Sequence, residues 1–188
     1  MIRVRPAGPE DAAAIAGVYA PYVADGIVSF EAEPPDAAEM ARRLAGGGDV
    51  HPWLIAELDG AVAGHACASP FRTRAAYAWA VEVTVYVAGE LHGRGVGRAL
   101  YGELLDLLSG QGFTQGVGVI ALPNRASEAL HERFGFRCVG VNEAVGYKNG
   151  RWIDVGVWQR ALARPTDPPS RLLPVSAVLG TRAARGAT

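Results

Sequence analysis

The chain has 188 residues, of which 49% are hydrophobic and 20% charged, enough for one domain with a full core. Eighteen Lys and Arg against 19 Asp and Glu give a formal net charge of -1, which leaves no basic excess for a nucleic-acid backbone. No apolar stretch approaches the ~20 residues of a membrane span, Arg3 interrupts any apolar signal core, and Cys67 and Cys138 lack zinc or disulfide spacing. The expectation is a cytoplasmic globular domain that holds no metal.

Ile2-Arg3-Val4-Arg5 alternates as a short strand, and Pro9-Glu10-Asp11 opens a helix with acids at its positive end. Ile15, Val18, Tyr19 and Tyr22 recur at helical spacing and read as its buried stripe. Asp25 to Pro35 is a loop carrying Ser29-Phe30, and Asp36 caps a second helix that ends at Gly46-Gly47-Gly48. Two strands, Trp53 to Glu57 and Val62 to Ala68, flank the turn Asp59-Gly60. The basic loop from Pro70 to Arg74 leads into a strand over Trp79 to Val87, rich in β-branched and aromatic residues.

A glycine-rich turn over Gly93 to Gly97 then runs into a helix from Val96 to Leu108. Val117 to Leu122 is a strand, Arg125 to Phe134 a helix, and residues 136–147 and 151–160 are strands around Lys148-Asn149-Gly150. Trp152 and Trp158 read as packing residues. Beyond about residue 162 the composition shifts, with Pro165, Pro168, Pro169 and Pro174 among arginines. The domain is expected to span residues 1–162, with 163–188 an extended tail, mobile or laid along the surface. Strands alternating with helices define an α/β class.

The segment Tyr86 to Leu100 carries the strongest functional signal. A strand enters a turn whose glycines let a ligand approach the backbone, and a helix begins at once. Free N–H groups at that helix start form an anion site, suited to pyrophosphate; the plain alternative is a helix start that merely needed glycines. Neither the GxGxxG spacing of a dinucleotide fold nor a P-loop ending is present.

This turn, His92-Gly93-Arg94-Gly95-Val96-Gly97, resembles the Gln/Arg-x-x-Gly-x-Gly/Ala motif of the GNAT acetyltransferase superfamily, with His92 at the usual Gln or Arg position. A second block follows in order, Leu122-Pro123-Asn124-Arg125-Ala126-Ser127, then Leu130-His131-Glu132-Arg133-Phe134-Gly135-Phe136. Within the superfamily the chain is similar to the phosphinothricin and methionine sulfoximine acetyltransferases. Tyr22 with Ser29-Phe30, Pro52 to Glu57, Pro70 to Trp79, Glu82, Gly146 to Trp152 and Asp154 to Gln159 carry that likeness across residues 2–160. Ile153 and Ala78 depart from it, standing where many members have His and Asp.

The resemblance implies a mixed, mostly antiparallel sheet, splayed at the cofactor site and flanked by helices. It implies acetyl-CoA as donor, a small amino-acid analogue as acceptor and a homodimer. Glu82 would be the general base, since burial among apolar strand neighbours raises a carboxylate's pKa; the alternative is an outward-facing surface glutamate. His131, at the position often held by Tyr, would be a general acid or sulfur-side partner, or else a filler of core or surface.

Backbone groups of Val85, Tyr86 and Val87 would pair with pantetheine. The turn over Gly93, Arg94, Gly95, Val96, Gly97 and Arg98 would hold pyrophosphate, and Asn124 and Ser127 the pantetheine arm. Arg72 and Arg74 would take the acceptor's carboxylate, unless they are only a solvated charge pair. Phe30, Tyr86 and Val155 would shape the acceptor pocket. Competing readings are an aminoglycoside or peptide N-terminal acetyltransferase, and a CoA-binding regulatory domain without catalysis.

Overall fold

Arg5, on β1 (Ile2–Pro6), sends two 2.8 Å bonds to Asp11 and a third to Glu57 on β2 (Trp53–Leu58). This fork ties the first helix start to the sheet and holds the Asp11 carboxyl below its ordinary pKa. The computed structural model describes residues 1–186. After a short 3-10 turn at Pro9–Asp11 comes α1 (Ala12–Ala24), which buries Ile15, Ala16, Tyr19 and Val23. Next, α2 (Ala37–Gly47) is capped by Asp36, whose carboxylate accepts the Glu39 N–H at 2.8 Å.

The remaining strands are β3 (Ala61–Pro70), β4 (Ala80–Val87), β5 (Gln115–Ala121), β6 (Arg137–Lys148) and β7 (Arg151–Ala161). Between them lie α3 (Val96–Gln111) and α4 (Arg125–Arg133). One sheet of order β1-β2-β3-β4-β5-β7-β6 results, antiparallel at every pairing except the parallel β4–β5. This is the mixed, mostly antiparallel α/β architecture expected from the chain.

Strand alternation sorts residues between two cores. Val81 and Val83 of β4 pack with Leu100, Tyr101, Leu104 and Leu108 of α3, while Tyr86 packs with Ile15, Tyr19 and Met40 under α1 and α2. Glu82 and Thr84, in phase with Tyr86, therefore face the α1–α2 side.

The tail is extended only as far as Pro174. It is fastened on the way: Trp79 Nε1–H donates to the Ser170 carbonyl at 2.7 Å, and the Leu173 N–H to the Gln111 carbonyl at 2.8 Å. Residues Val175–Gly186 then form α5, which corrects the expectation of an extended segment. Asp49 accepts from the Ser176 N–H and hydroxyl at the start of α5, and Val178 is buried against α3, where Gly110 leaves room for it. Val175, Val178 and Leu179, at i, i+3 and i+4, are the apolar stripe that drives the helix. Residues 187 and 188 of the expected tail lie outside the described residues. Trp152 also departs from expectation: it is 66% exposed on the β6–β7 hairpin, whereas Trp158 is buried.

Candidate functional site

β4 and β5 are paired over only three positions, Ala80↔Gln115, Val81↔Gly116 and Glu82↔Val117. Beyond Glu82 the two strands diverge, although β4 stays paired to β3 as far as Val87. The Ala88 N–H donates to the Ala63 carbonyl, and antiparallel alternation from there turns the backbone groups of Val83, Val85 and Val87 toward the opening. Tyr86 differs from expectation. Its backbone turns to His65 on β3 and its ring faces the α1–α2 side.

The glycine turn closes one end of this opening. Gly93 and Gly95 have φ of 75° and 86°, a left-handed backbone that disfavours any side chain, and Gly95 caps α3. Among the described residues, the N–H groups of Gly93, Gly95, Val96, Gly97 and Arg98 have no acceptor. They gather at the positive end of a 16-residue helix. Arg94 and Arg98 are exposed and make no ion pair among the described residues. The resulting cradle suits a diphosphate. His92 Nε2 lies 2.8 Å from the Tyr22 hydroxyl and 3.1 Å from the Val87 carbonyl, to which Tyr22 also donates. Tyr22, expected only as core, thus takes up the carbonyl of Val87 and leaves that residue's N–H to the opening.

Glu82 sits at the last rung before the opening, half-buried, and its carboxylate makes no hydrogen bond or ion pair among the described residues. Burial pushes its pKa up, and the charge of Arg72 partly offsets this. A carboxylate in that state is a free base. Arg72 lies over the Phe71 ring and, like Arg74, is exposed. Val155, across β5 on β7, shares the face of Glu82 by register and is buried. Phe30 is 47% exposed and packs against Gly146 of β6.

On this same face β2, β3 and β4 line a cavity of about 400 Å³, walled by Trp53, His65, Cys67, Ser69, Thr84 and Tyr86. Ser69 is the register partner of Glu82, so the cavity borders that carboxylate. Burial pushes the His65 imidazole down to about 4 and the Cys67 thiol up to about 12. Both walls are therefore neutral at pH 7.

His131 lies on the opposite face. Its ring covers Gly118, the first β5 residue past the paired rungs, where a Cβ would come within 2.3 Å of Nε2. Tyr101 and Phe136 flank it at 5.0 and 5.1 Å between ring centroids. Nδ1–H donates to the Ser127 carbonyl at 2.8 Å, and the buried Nε2 has no partner. Burial lowers its pKa. Glu82 and His131 thus bracket the start of the opening from its two faces. Asn124 and Ser127 stand at the same end, where Asn124 Oδ1 accepts the Ser127 N–H at 3.1 Å and caps α4. No group of acidic, His and Cys side chains among the described residues has the arrangement of a metal site.

Comparison with known proteins bears on the chemistry of this opening. Residues 4–157 match the acetyltransferase (GNAT) domain family. The phosphinothricin N-acetyltransferase of Streptomyces viridochromogenes is 42% identical over 94% of this chain and 96% of its own length. An L-methionine sulfoximine/L-methionine sulfone acetyltransferase of Pseudomonas paraeruginosa is 32% identical over 83% of this chain and 92% of its own. The crystal structure of a Sinorhizobium meliloti phosphinothricin acetyltransferase in complex with acetyl-CoA superposes with a TM-score of 0.85. It is 37% identical and covers 89% of this chain and 95% of that one. With its splayed sheet, its glycine cradle and these relatives, the chain belongs to the GNAT acetyltransferase family.

Proposed function

We infer that this protein transfers an acetyl group from acetyl-CoA to the α-amine of a small amino acid of the phosphinothricin, methionine sulfoximine or methionine sulfone type. The observation that carries this reading is the unpaired, half-buried Glu82 at the last β4–β5 rung, within electrostatic range of Arg72. An amino acid whose carboxylate meets Arg72 and Arg74 brings its ammonium toward that base. The relatives named above act on this class of acceptor.

The chain's own residues fit the donor. The free N–H groups of the cradle with Arg94 and Arg98 hold the diphosphate, and the N–H and C=O groups of Val85 with the N–H of Val87 take the pantetheine amides as an added strand. Asn124 and Ser127 border the arm. When bound, acetyl-CoA supplies an activated thioester carbonyl and a thiol leaving group. Glu82 removes a proton from the acceptor ammonium, freeing the nitrogen lone pair for attack. The protons lost by nitrogen leave through Glu82 and to sulfur, giving the amide and free thiol. His131, neutral with its proton on Nδ1, presents Nε2 as an acceptor and steadies the sulfur side from the opposite face. Phe30, Tyr86 and Val155 enclose the acceptor side chain.

Residues 1–162 form the catalytic domain in this reading, with 163–188 as its tail, of which the part as far as Leu179 buttresses the domain. A second copy covers the β6–β7 hairpin, whose Val139, Val141, Val145, Tyr147 and Trp152 leave 44–66% of their surface exposed. Both cysteines are free, which suits the reducing cytoplasm, and no helix among the described residues is long and apolar enough to cross a membrane.

Thiol release from acetyl-CoA tests the reading, with phosphinothricin, methionine sulfoximine, methionine sulfone, glutamate, methionine, an aminoglycoside and a short peptide as acceptors. Turnover of the first three, reduced about 10²–10⁴-fold by Glu82→Gln, is expected. Turnover confined to the peptide or the aminoglycoside would overturn it.

A further inference from the structure

The loop between α1 and α2 carries Phe30 but has almost no internal scaffold. Among the described residues, 26–35 make no backbone–backbone hydrogen bond. Within the loop the Glu31 N–H donates to Ser29 Oγ at 3.2 Å, a hydroxyl that also bonds the Tyr19 hydroxyl; the other bonds to its main chain come from the tip of the β6–β7 hairpin, more than 100 residues away in sequence. Lys148 Nζ donates to the carbonyls of Val23, Ser29 and Glu31 at 2.6, 2.7 and 3.0 Å. Two of these carbonyls belong to the residues on either side of Phe30. The Phe30 ring itself rests on Gly146 of the same hairpin, where a Cβ would fall 2.2 Å from it.

We propose that Lys148 is a positioning residue for the acceptor: its ammonium fixes the main chain on both sides of Phe30 and so sets the wall that the amino-acid side chain meets. The proposal rests on the reading of Phe30 as part of the acceptor site. The chemistry is specific to an ammonium, which directs three N–H groups tetrahedrally onto three converging oxygens. A planar guanidinium spreads its donors in a fork and does not match that arrangement. Glu31 and Arg43 anchor the loop separately, through paired bonds of 2.8 and 2.9 Å. Losing Lys148 therefore loosens the main chain at Phe30, leaving only the Glu31 N–H to Ser29 Oγ bond across it, without releasing the whole loop. Lys148 has no bond to the glycine cradle, so the acetyl-CoA KM serves as the control for general damage.

The test is carried out on the full-length protein. Lys148→Met keeps the length of the side chain and removes its donors. Expected are an acceptor KM raised about tenfold or more, kcat within about threefold and acetyl-CoA KM within about twofold of the parent. Limited chymotrypsin digestion at Phe30 should quicken by about tenfold as the loop loosens. Rescue comes from Lys148→Cys in a Cys138→Ser background, treated with 2-bromoethylamine to rebuild an ammonium of near-lysine length. Cys67 is present in both proteins, so the treated Cys138→Ser parent is the reference for any change at that thiol. Acceptor KM should return to within about threefold of the treated Cys138→Ser parent.

An acceptor KM unchanged in Lys148→Met overturns the proposal, even if Phe30 is cut faster. So does an acetyl-CoA KM that rises in step with the acceptor KM, which marks general damage. If the parent enzyme acetylates none of the amino acids, the amino-acid reading fails by itself. The digestion then decides whether Lys148 anchors Phe30, and an unchanged cutting rate overturns that too.

Discussion

Gly118→Ala is a direct test of how His131 is held. The added Cβ would stand 2.3 Å from Nε2 and 2.5 Å from Cδ2 of a ring that is 4% exposed. Carbon contacts are comfortable at about 3.5–4.0 Å, so the ring must withdraw by more than an ångström. It has nowhere to go: Tyr101 and Phe136 stand edge-on at 5.0 and 5.1 Å between centroids, and Nδ1 is tied to the Ser127 carbonyl. Overpacking of this kind costs about 1–3 kcal/mol, and replacing a strand glycine returns about 0.5–1 kcal/mol. The net loss is centred on about 1 kcal/mol and reaches about 2.5 kcal/mol at most, a fall in Tm of about 2–4 °C per kcal/mol for a chain of this size. Urea denaturation of the four proteins of a Gly118→Ala and His131→Ala cycle would measure it. In the His131→Ala background the alanine at 118 should be neutral or slightly stabilising. Equal destabilisation in both backgrounds would refute the contact.

Other outcomes are fixed by the charges around the site. Under the proposed mechanism the acidic limb of kcat/KM should report Glu82 and fall above the ordinary carboxylate value of about 4.3; in Arg72→Gln, which removes the charge that lowers it, the limb should move to higher pH. A buried His65 with a pKa near 4 against 6.5 unfolded binds its proton only on unfolding in that window, so its stability contribution is full above about pH 6.5 and lost as pH falls toward 4. His65→Phe should flatten that slope, on the order of 3 kcal/mol across the window, in denaturation curves taken from pH 7 to 4. Val178→Ala should lower stability by about 2 kcal/mol, since its side chain is buried between α5 and α3; an unchanged urea midpoint would show that α5 does not dock.

Much of the frame was legible because local chemistry decides it. Asp36 had a helix to cap, Asp59-Gly60 and Asn149-Gly150 had turns to make, and Gly93 and Gly95 mark a backbone that other residues resist. Glu82 stood out as one carboxylate in an apolar strand. What escaped depends on register and on distant partners. Helical spacing places His131 on a face of α4 but does not say which face of the sheet α4 covers; the Gly118 contact does. Tyr22 looks like any stripe residue until its hydroxyl meets Val87 and His92. The prolines from 165 to 174 hid α5, although the spacing of Val175, Val178 and Leu179 was there to be read.

The three rungs between β4 and β5 have a mechanical consequence. They are the only strand pairing among the described residues that joins β1–β4 to β5–β7, so the sheet is two plates meeting along a short seam. A ligand lying along Val85 and Val87 supplies bonds that a neighbouring strand would otherwise make, and so acts as a girder as well as a reactant. Occupancy then stabilises the protein with the logarithm of ligand concentration once the site is filled.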